Sequence, residues 1–354
     1  MRRVLLVALV VAAFVAPAAT AAAERPTPQA SEVRLREDAK DLTAAEKSAF
    51  VAAVKKLKRT ASPWNPRFSW YDQFVLWHKK AFLCSISAAH MGPAFLPWHR
   101  QLLLLFEDAL REVSGKPITL PYWDWTNPNS TAAVFAPDLM GGNGDPANGY
   151  AVMTGPFRKG AWRLNVIDPK SNDPWGLRYL VRRFGTPIGK SLPTAAQVSK
   201  ALARPRYDVK PFDAMSDPKR SFRNYIEGWR RVMAMECEDG LMNPVSEPGA
   251  PHKMHNGVHL WVGGVWGRTD KPFAGTMTLN TSLNDPVFWL HHANIDRIWS
   301  QWEAMHNYQY RPISGAPRGQ NLHDTMWPYR NIGIKTTIAE LLHIDALGYA
   351  YAGP

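Results

Sequence analysis

The sequence predicts a mainly α-helical fold, with a central four-helix bundle wrapped by long loops and short strands. Three observations predict it. Apolar residues recur at helical spacing in segments 42–57, 71–82, 97–113, 221–235, 255–262 and 282–302. The stretch 121–218 is rich in Gly, Pro and Asn, which interrupt regular elements. Histidines fall on or beside two pairs of the helical segments.

Segment 1–23 stands apart from the fold. Arg2 and Arg3 precede an apolar run at 4–15 and a small-residue stretch at 18–23, the pattern of a secretory signal cut near Ala22 or Ala23. The run is too short for a comfortable membrane span, so an exported chain without a membrane span is expected. Residues 24–354 then form a single domain with its core at about 36–306. In 42–57, Thr43 is the cap and Glu46 completes a capping box. Segment 71–82 carries His78. In 97–113, Pro97 suits the first turn, and Gly115 and Pro117 end the helix. His99, Leu102, Leu103, Phe106, Leu110 and Val113 make its buried stripe. Around PYWDWTNP and MGGNGDP the chain reads as loops with short strands or turns. Segment 221–235 is helical, 236–251 is a polar loop, and 255–262 is a short helix ended by Gly263 and Gly264. In 282–302, Asp285 is the N-cap and Pro286 the first helical residue. Phe288, His292, Ile295, Trp299 and Trp302 share one stripe, which favours His292 over His291 as the inward histidine. After 307 the tail is irregular, with a helical turn near 338–343.

With 354 residues, 45% of them hydrophobic, and 15 tryptophans, the chain can bury a large core. Its formal charge is +12, and loss of the two arginines of 1–23 leaves +10. The basic residues are dispersed, so no nucleic-acid partner is expected. Cys84 and Cys237 are the only cysteines and, in an exported chain, a candidate disulfide pair. No CxxC or Cys/His finger is present, which excludes a structural zinc module of that kind.

The 11 histidines are unevenly placed. His78, His90 and His99 lie on or beside the first helix pair, and His255, His259 and His292 on or beside the second. His255 and His259 are four apart and share a helix face, which suits two ligands of one metal. Two facing pairs can hold two three-histidine sites inside a bundle. Imidazole-only sites suit zinc, copper, iron or nickel. Segments 71–82, 97–113, 255–262 and 282–302 hold no Glu-x-x-His of the di-iron kind, and HExxH is absent. On spacing alone a copper pair, one mononuclear site and buried structural histidines all stay open.

The blocks AAHMGPAFLPWHRQLLLLFEDAL, TLPYWDW, FRNYIEGWR, HNGVHLWVGG and SLNDPVFWLHHANIDRIW resemble the tyrosinase family of type-3 copper proteins, its bacterial branch above all. The resemblance implies a bundle holding two copper ions, with dioxygen as co-substrate. It makes His78, His90 and His99 ligands of the first copper, and His255, His259 and His292 ligands of the second. His291 and Phe288 become neighbours of the ligands, and Asp296 a partner that orients a ligand imidazole. It further implies a secreted phenol oxidase that ortho-hydroxylates small monophenols and oxidises o-diphenols to o-quinones. The alternative is a catechol or o-aminophenol oxidase without the hydroxylation. Glu227 and Asn256 match the residues that hold a proton-accepting water. Leu260, Leu279, Asn280 and Thr281 become candidates for the substrate gate. A copper-loading helper protein is a possible partner by the same resemblance. Segment 232–253 is longer than in typical bacterial members and carries Cys237. Ala88, two residues before His90, stands where some members carry a Cys linked to that histidine.

Overall fold

The computed structural model describes residues 33–82, 89–167, 176–228, 254–268 and 271–353, and the backbone of two short strands at Cys237–Glu238 and Leu241–Met242. Along the chain these form β1 (Arg34–Arg36), α1 (Ala44–Leu57), α2 (Trp70–Ala81), α3 (Phe95–Ser114), α4 (Pro128–Val134), β2 (Gly144–Asp145) and β3 (Ala151–Val152). Then come α5 (Ala195–Leu202), α6 (Phe222–Glu227), β4 (Cys237–Glu238), β5 (Leu241–Met242) and α7 (Met254–Gly263). The last are β6 (Val265–Arg268), β7 (Lys271–Ala274), α8 (Val287–Met305) and β8 (Tyr349–Tyr351).

Local signals set the helix starts. Thr43 Oγ1 accepts the Glu46 N–H at 3.2 Å, and the Glu46 carboxylate accepts the Thr43 N–H at 2.8 Å, closing the capping box of α1. Helix α3 begins at Phe95, two residues earlier than Pro97 suggests, because proline is tolerated throughout a first turn. It stops where Gly115 turns left-handed at φ 65°. Helix α8 starts at Val287 with Pro286 at its N-cap position, one residue later than expected; Asp285, one place further out, still accepts the Val287 N–H through Oδ1 at 3.2 Å.

Three expectations change. The helix expected over 221–235 ends at Glu227, because Gly228 adopts φ 94° and caps it; residues 229–236 lie outside the described residues. Helices α4 and α5 lie inside the stretch expected to be loops and turns. Each has a local start, Asn127 before Pro128 and a Thr194–Gln197 capping box. Finally, α8 is buried on nearly every face rather than along one stripe, so His291 and His292 are both inside. The stripe therefore does not choose between them.

The centre is a bundle of α2, α3, α7 and α8. Helix α3 packs on α2 and α8, and α7 packs on α8 and α6. Aromatic side chains join α2 to α8: Phe74 meets Trp289 at 5.7 Å, and Tyr71 Oη accepts the Trp289 indole N–H at 3.1 Å. Phe106 of α3 stacks on Trp289 at 3.6 Å. Burying each such ring contributes ~1.5–3 kcal/mol.

Two buried charge clamps fix α8. Arg182 grips Asp285 with two bonds of 2.6 and 2.7 Å and also donates to the carbonyls of Met140, Gly141 and Gly142. At the other clamp, Arg100 and Arg36 meet Asp296, and Arg36 also pairs with Glu107. The Arg100 guanidinium lies 2.9 Å from Glu303, whose carboxyl burial pushes up to about 8. Strand β8 pairs in parallel with β1, Tyr351 opposite Arg36, which brings the far ends of the described chain to this clamp. Among the described residues no helix is long and apolar enough to cross a membrane.

Candidate metal centre

The bundle brings seven histidines into two groups. His78, His90 and His99 form one, and His255, His259, His291 and His292 the other; within each group one ring nitrogen per residue lies within 4.8 Å of the rest. Helices α2, α3, α7 and α8 supply all of them except His90, which enters from the segment before α3. The groups touch: His99 stacks on His292 at 4.2 Å, and Phe288 packs against His78 at 5.1 Å and His292 at 4.1 Å. Phe82 stacks on His90 at 3.8 Å.

Hydrogen bonds set the tautomers. His78 Nδ1 donates to the Asn280 carbonyl at 2.7 Å, His99 Nδ1 to the Phe95 carbonyl at 2.8 Å, and His259 Nδ1 to the Met277 carbonyl at 2.6 Å. His255 Nδ1 donates to Asn256 Oδ1 at 2.8 Å. A neutral imidazole that donates from Nδ1 has a bare lone pair on Nε2. The Nε2 atoms of His78 and His99 are buried without any hydrogen-bond partner among the described residues. Those of His255 and His259 stand 3.0 Å apart, and those of His255 and His292 3.2 Å apart. The lone pairs of His255 and His259, so close, repel unless a cation sits among them. The donor set therefore fits metal, and a soft-to-borderline metal that takes imidazole alone.

Burial depresses the basicity of these rings, and for all but His259 neighbouring imidazoles add to it. His99 is lowered to about 3 and His259 to about 4, with the others also well below the usual histidine range. Neutral rings are what a metal requires. The sign for the copper-free protein follows: below pH 6.5 the unfolded chain binds more protons, so stability falls as pH drops toward 4. Each pH unit in that window should cost ~1.4 kcal/mol per such histidine. Urea unfolding of copper-free protein at pH 7.5 and 5 checks this; equal stabilities would contradict it.

Two backbone positions beside the histidines are left-handed without being glycine: Met91, after His90, at φ 60°, and Met254, before His255, at φ 54°. Such positions cost ~1–3 kcal/mol and persist only where surroundings enforce them. At Met91 the enforcing contact is its N–H, which donates to Glu227 Oε1 at 2.6 Å. Glu227 is buried at the end of α6, with its other oxygen 3.1 Å from Arg223. Arg223 is itself held by Asp208 at 2.8 and 2.9 Å.

Asp296 departs from its expected place. It lies four residues past His292, yet its carboxylate accepts from Arg100 Nε at 2.6 Å, Arg36 Nη1 at 3.4 Å, and the hydroxyls of Tyr349 and Tyr351 at 2.7 and 2.6 Å. No imidazole is among these partners, because two guanidiniums and two hydroxyls outcompete a neutral ring. Burial pushes this carboxyl up, but Arg100 and Arg36 outweigh it and hold it below the usual range. Of the gate candidates, Thr281 is buried, Leu260, Leu279 and Asn280 are half-buried, and Asn280 gives its carbonyl to His78. Cys84 and Ala88 lie outside the described residues, and of Cys237 only the backbone is described. Sequence reasoning missed Trp125, whose indole N–H donates to His291 Nδ1 at 3.0 Å, and Phe95, whose carbonyl sits one turn before His99. Only the second had a local signal, the four-residue spacing on one helix.

The comparisons with known proteins agree with this centre. A family model described as the common central domain of tyrosinase matches residues 69–305. A tyrosinase of Streptomyces antibioticus is 38% identical over 317 residues, covering 87% of this chain and 96% of that one. Grixazone synthase of Streptomyces griseus subsp. griseus is 36% identical over 296 residues, covering 77% and 85%. A solved polyphenol oxidase of Thermothelomyces thermophila shares the fold, with a TM-score of 0.64 and 24% identity over 91% of this chain and 89% of that one. The chain belongs to the tyrosinase family and is a tyrosinase-like dicopper phenol oxidase.

Proposed function

We propose that this chain is an exported enzyme that ortho-hydroxylates small monophenols and oxidises o-diphenols to o-quinones. In this assignment His78, His90 and His99 hold one copper ion, and His255, His259 and His292 the other. The observation that carries it is the meeting of the His255, His259 and His292 Nε2 atoms at 3.0 and 3.2 Å. The copper pair, when bound, supplies the activation of dioxygen.

The chain's own residues handle the phenol and its proton. A free phenol ionises near ~10, so a monophenol needs a proton acceptor at the site. We assign this to a water held by Glu227 and Asn256. Asn256 Oδ1 is used by His255, while its buried Nδ2 has no partner among the described residues and is free to donate to such a water. Glu227 is buried on α6, which packs on α7, the helix of Asn256. Leu260, Leu279, Asn280 and Thr281 are assigned to the entrance. The second candidate, a catechol or o-aminophenol oxidase without hydroxylation, is favoured by one observation: both Glu227 oxygens already accept, from Met91 and Arg223.

Oxygen uptake by copper-loaded protein, with a monophenol and its matching diphenol, separates the two. We expect turnover of both and two copper ions per chain by metal analysis. Turnover of diphenol alone would select the second candidate, and turnover of neither would end both. Uptake of two ions from a simple copper salt would remove the need for a helper protein; failure to load without a co-expressed partner would establish one. Export rests on segment 1–23, and protein recovered from the medium should begin after residue 22 or 23. A retained residue 1 would contradict that.

A further inference from the structure

His291 has the burial and position of a metal ligand. It is fully buried, a ring nitrogen lies within 4.8 Å of those of His255, His259 and His292, and its ring is 5.1 Å from that of His255 and 5.0 Å from that of His259. We propose that Trp125 withholds His291 from the second copper and so keeps that ion at three protein ligands. The proposal rests on the dicopper assignment above.

An indole nitrogen only donates. Trp125 Nε1 lies 3.0 Å from His291 Nδ1, so that Nδ1 must accept and carries no proton. The neutral ring then keeps its proton on Nε2. Neither nitrogen has a lone pair to give: one is taken by the indole, the other bears hydrogen. The four histidines whose Nδ1 meets an oxygen acceptor, His78, His99, His255 and His259, have the opposite tautomer and a bare Nε2. Among these five histidines, what faces Nδ1 separates the four ligands from His291; the Nδ1 atoms of His90 and His292 have no partner among the described residues.

The contact is built rather than incidental. Trp125 is buried, and two residues earlier the Trp123 N–H donates to the Leu290 carbonyl at 3.0 Å, which seats the loop on α8 directly before His291. The benefit is an open coordination position. Catalytic metal sites keep one for substrate, whereas a fourth protein ligand closes a site into a structural one.

The test is Trp125→Phe, which keeps a ring and removes the N–H. His291 can then take the Nδ1–H tautomer and offer Nε2. Copper content should stay at two per chain. The copper K-edge absorption of the reduced protein, which separates three-coordinate from four-coordinate cuprous ions, should show one ion of the pair converted. Diphenol turnover should fall ~10–100-fold, the usual effect of losing a residue that orients a metal ligand. Adding His291→Phe to Trp125→Phe should restore the edge and most of the turnover. A wild-type edge in Trp125→Phe, or a double variant no better than the single one, would overturn the proposal. Should Trp125→Phe not fold, benzothienylalanine at 125, isosteric and without the N–H, answers the same question. Wild-type protein that binds no copper pair would instead refute the dicopper assignment itself.

Discussion

An Asp296→Asn chain should unfold with about 3–5 kcal/mol less free energy than the wild type. Asp296 is the meeting point of Arg100, Arg36, Tyr349 and Tyr351, all buried or nearly so. Asparagine keeps the shape and loses the charge. It also turns an N–H group toward a cluster in which Arg100 and Arg36 can only donate and Tyr351 Oη already accepts from Arg36. Arg100 would keep the Glu303 contact and Arg36 the Glu107 pair, so two guanidiniums would be left under-compensated away from water. Arg100 follows His99 directly, and Asp296 lies one turn from His292, so both histidine groups should loosen together. Denaturant unfolding of copper-free protein measures the loss, and metal analysis its consequence for loading. A variant within about 1 kcal/mol of wild type would mean that the clamp contributes specificity rather than stability. The depressed carboxyl gives the same sign from pH: its stabilisation is complete at neutral pH and is lost as acid protonates it.

Glu227→Gln should lower monophenol turnover by ~10²–10⁴-fold, the range of a lost acid–base contribution. Diphenol turnover should fall much less, since a diphenol is oxidised without the hydroxylation step. The structure adds a second effect to separate. Glu227 also accepts the Met91 N–H at 2.6 Å, beside His90. Glutamine can still accept that bond through its carbonyl, but without the charge that shortens and strengthens it. Copper content and the ratio of monophenol to diphenol rates distinguish the roles. Loss of copper with equal falls in both rates would make Glu227 a positioning residue for His90; a changed ratio at full copper would make it the partner of the proton-accepting water.

Much of the bundle was legible because its signals are local. Thr43 with Glu46, Pro97 with Gly115, and Asp285 before Val287 each declare a helix end within a few residues. The pairing of His255 with His259 is equally local. What escaped was set by distant partners. Arg36 and Asp296 stand 260 positions apart, and Trp125 and His291 166 apart, so no window of sequence contains either pair. Periodicity also misjudged α8. A single stripe describes a helix packed on one neighbour, whereas α8 is enclosed by α3, α7, α5 and the loops, and its polar residues are buried in charge clamps. Asp296 shows the limit of spacing arguments: four residues place it on the side of His292, but the stronger donors on α3 and β1 decide where its oxygens go.

The parallel pairing of β1 with β8 also imposes an order in time. Arg36 and the Tyr351 hydroxyl that binds it are 315 positions apart, so at translation rates of about 5–20 residues per second the tyrosine is made on the order of 15–60 s after the arginine. Until then the charged layer next to both histidine groups lacks its last two hydroxyls and the strand that covers it. The charged layer therefore closes only after Tyr351 has been made, and copper arriving earlier meets histidines beside a layer that is still open.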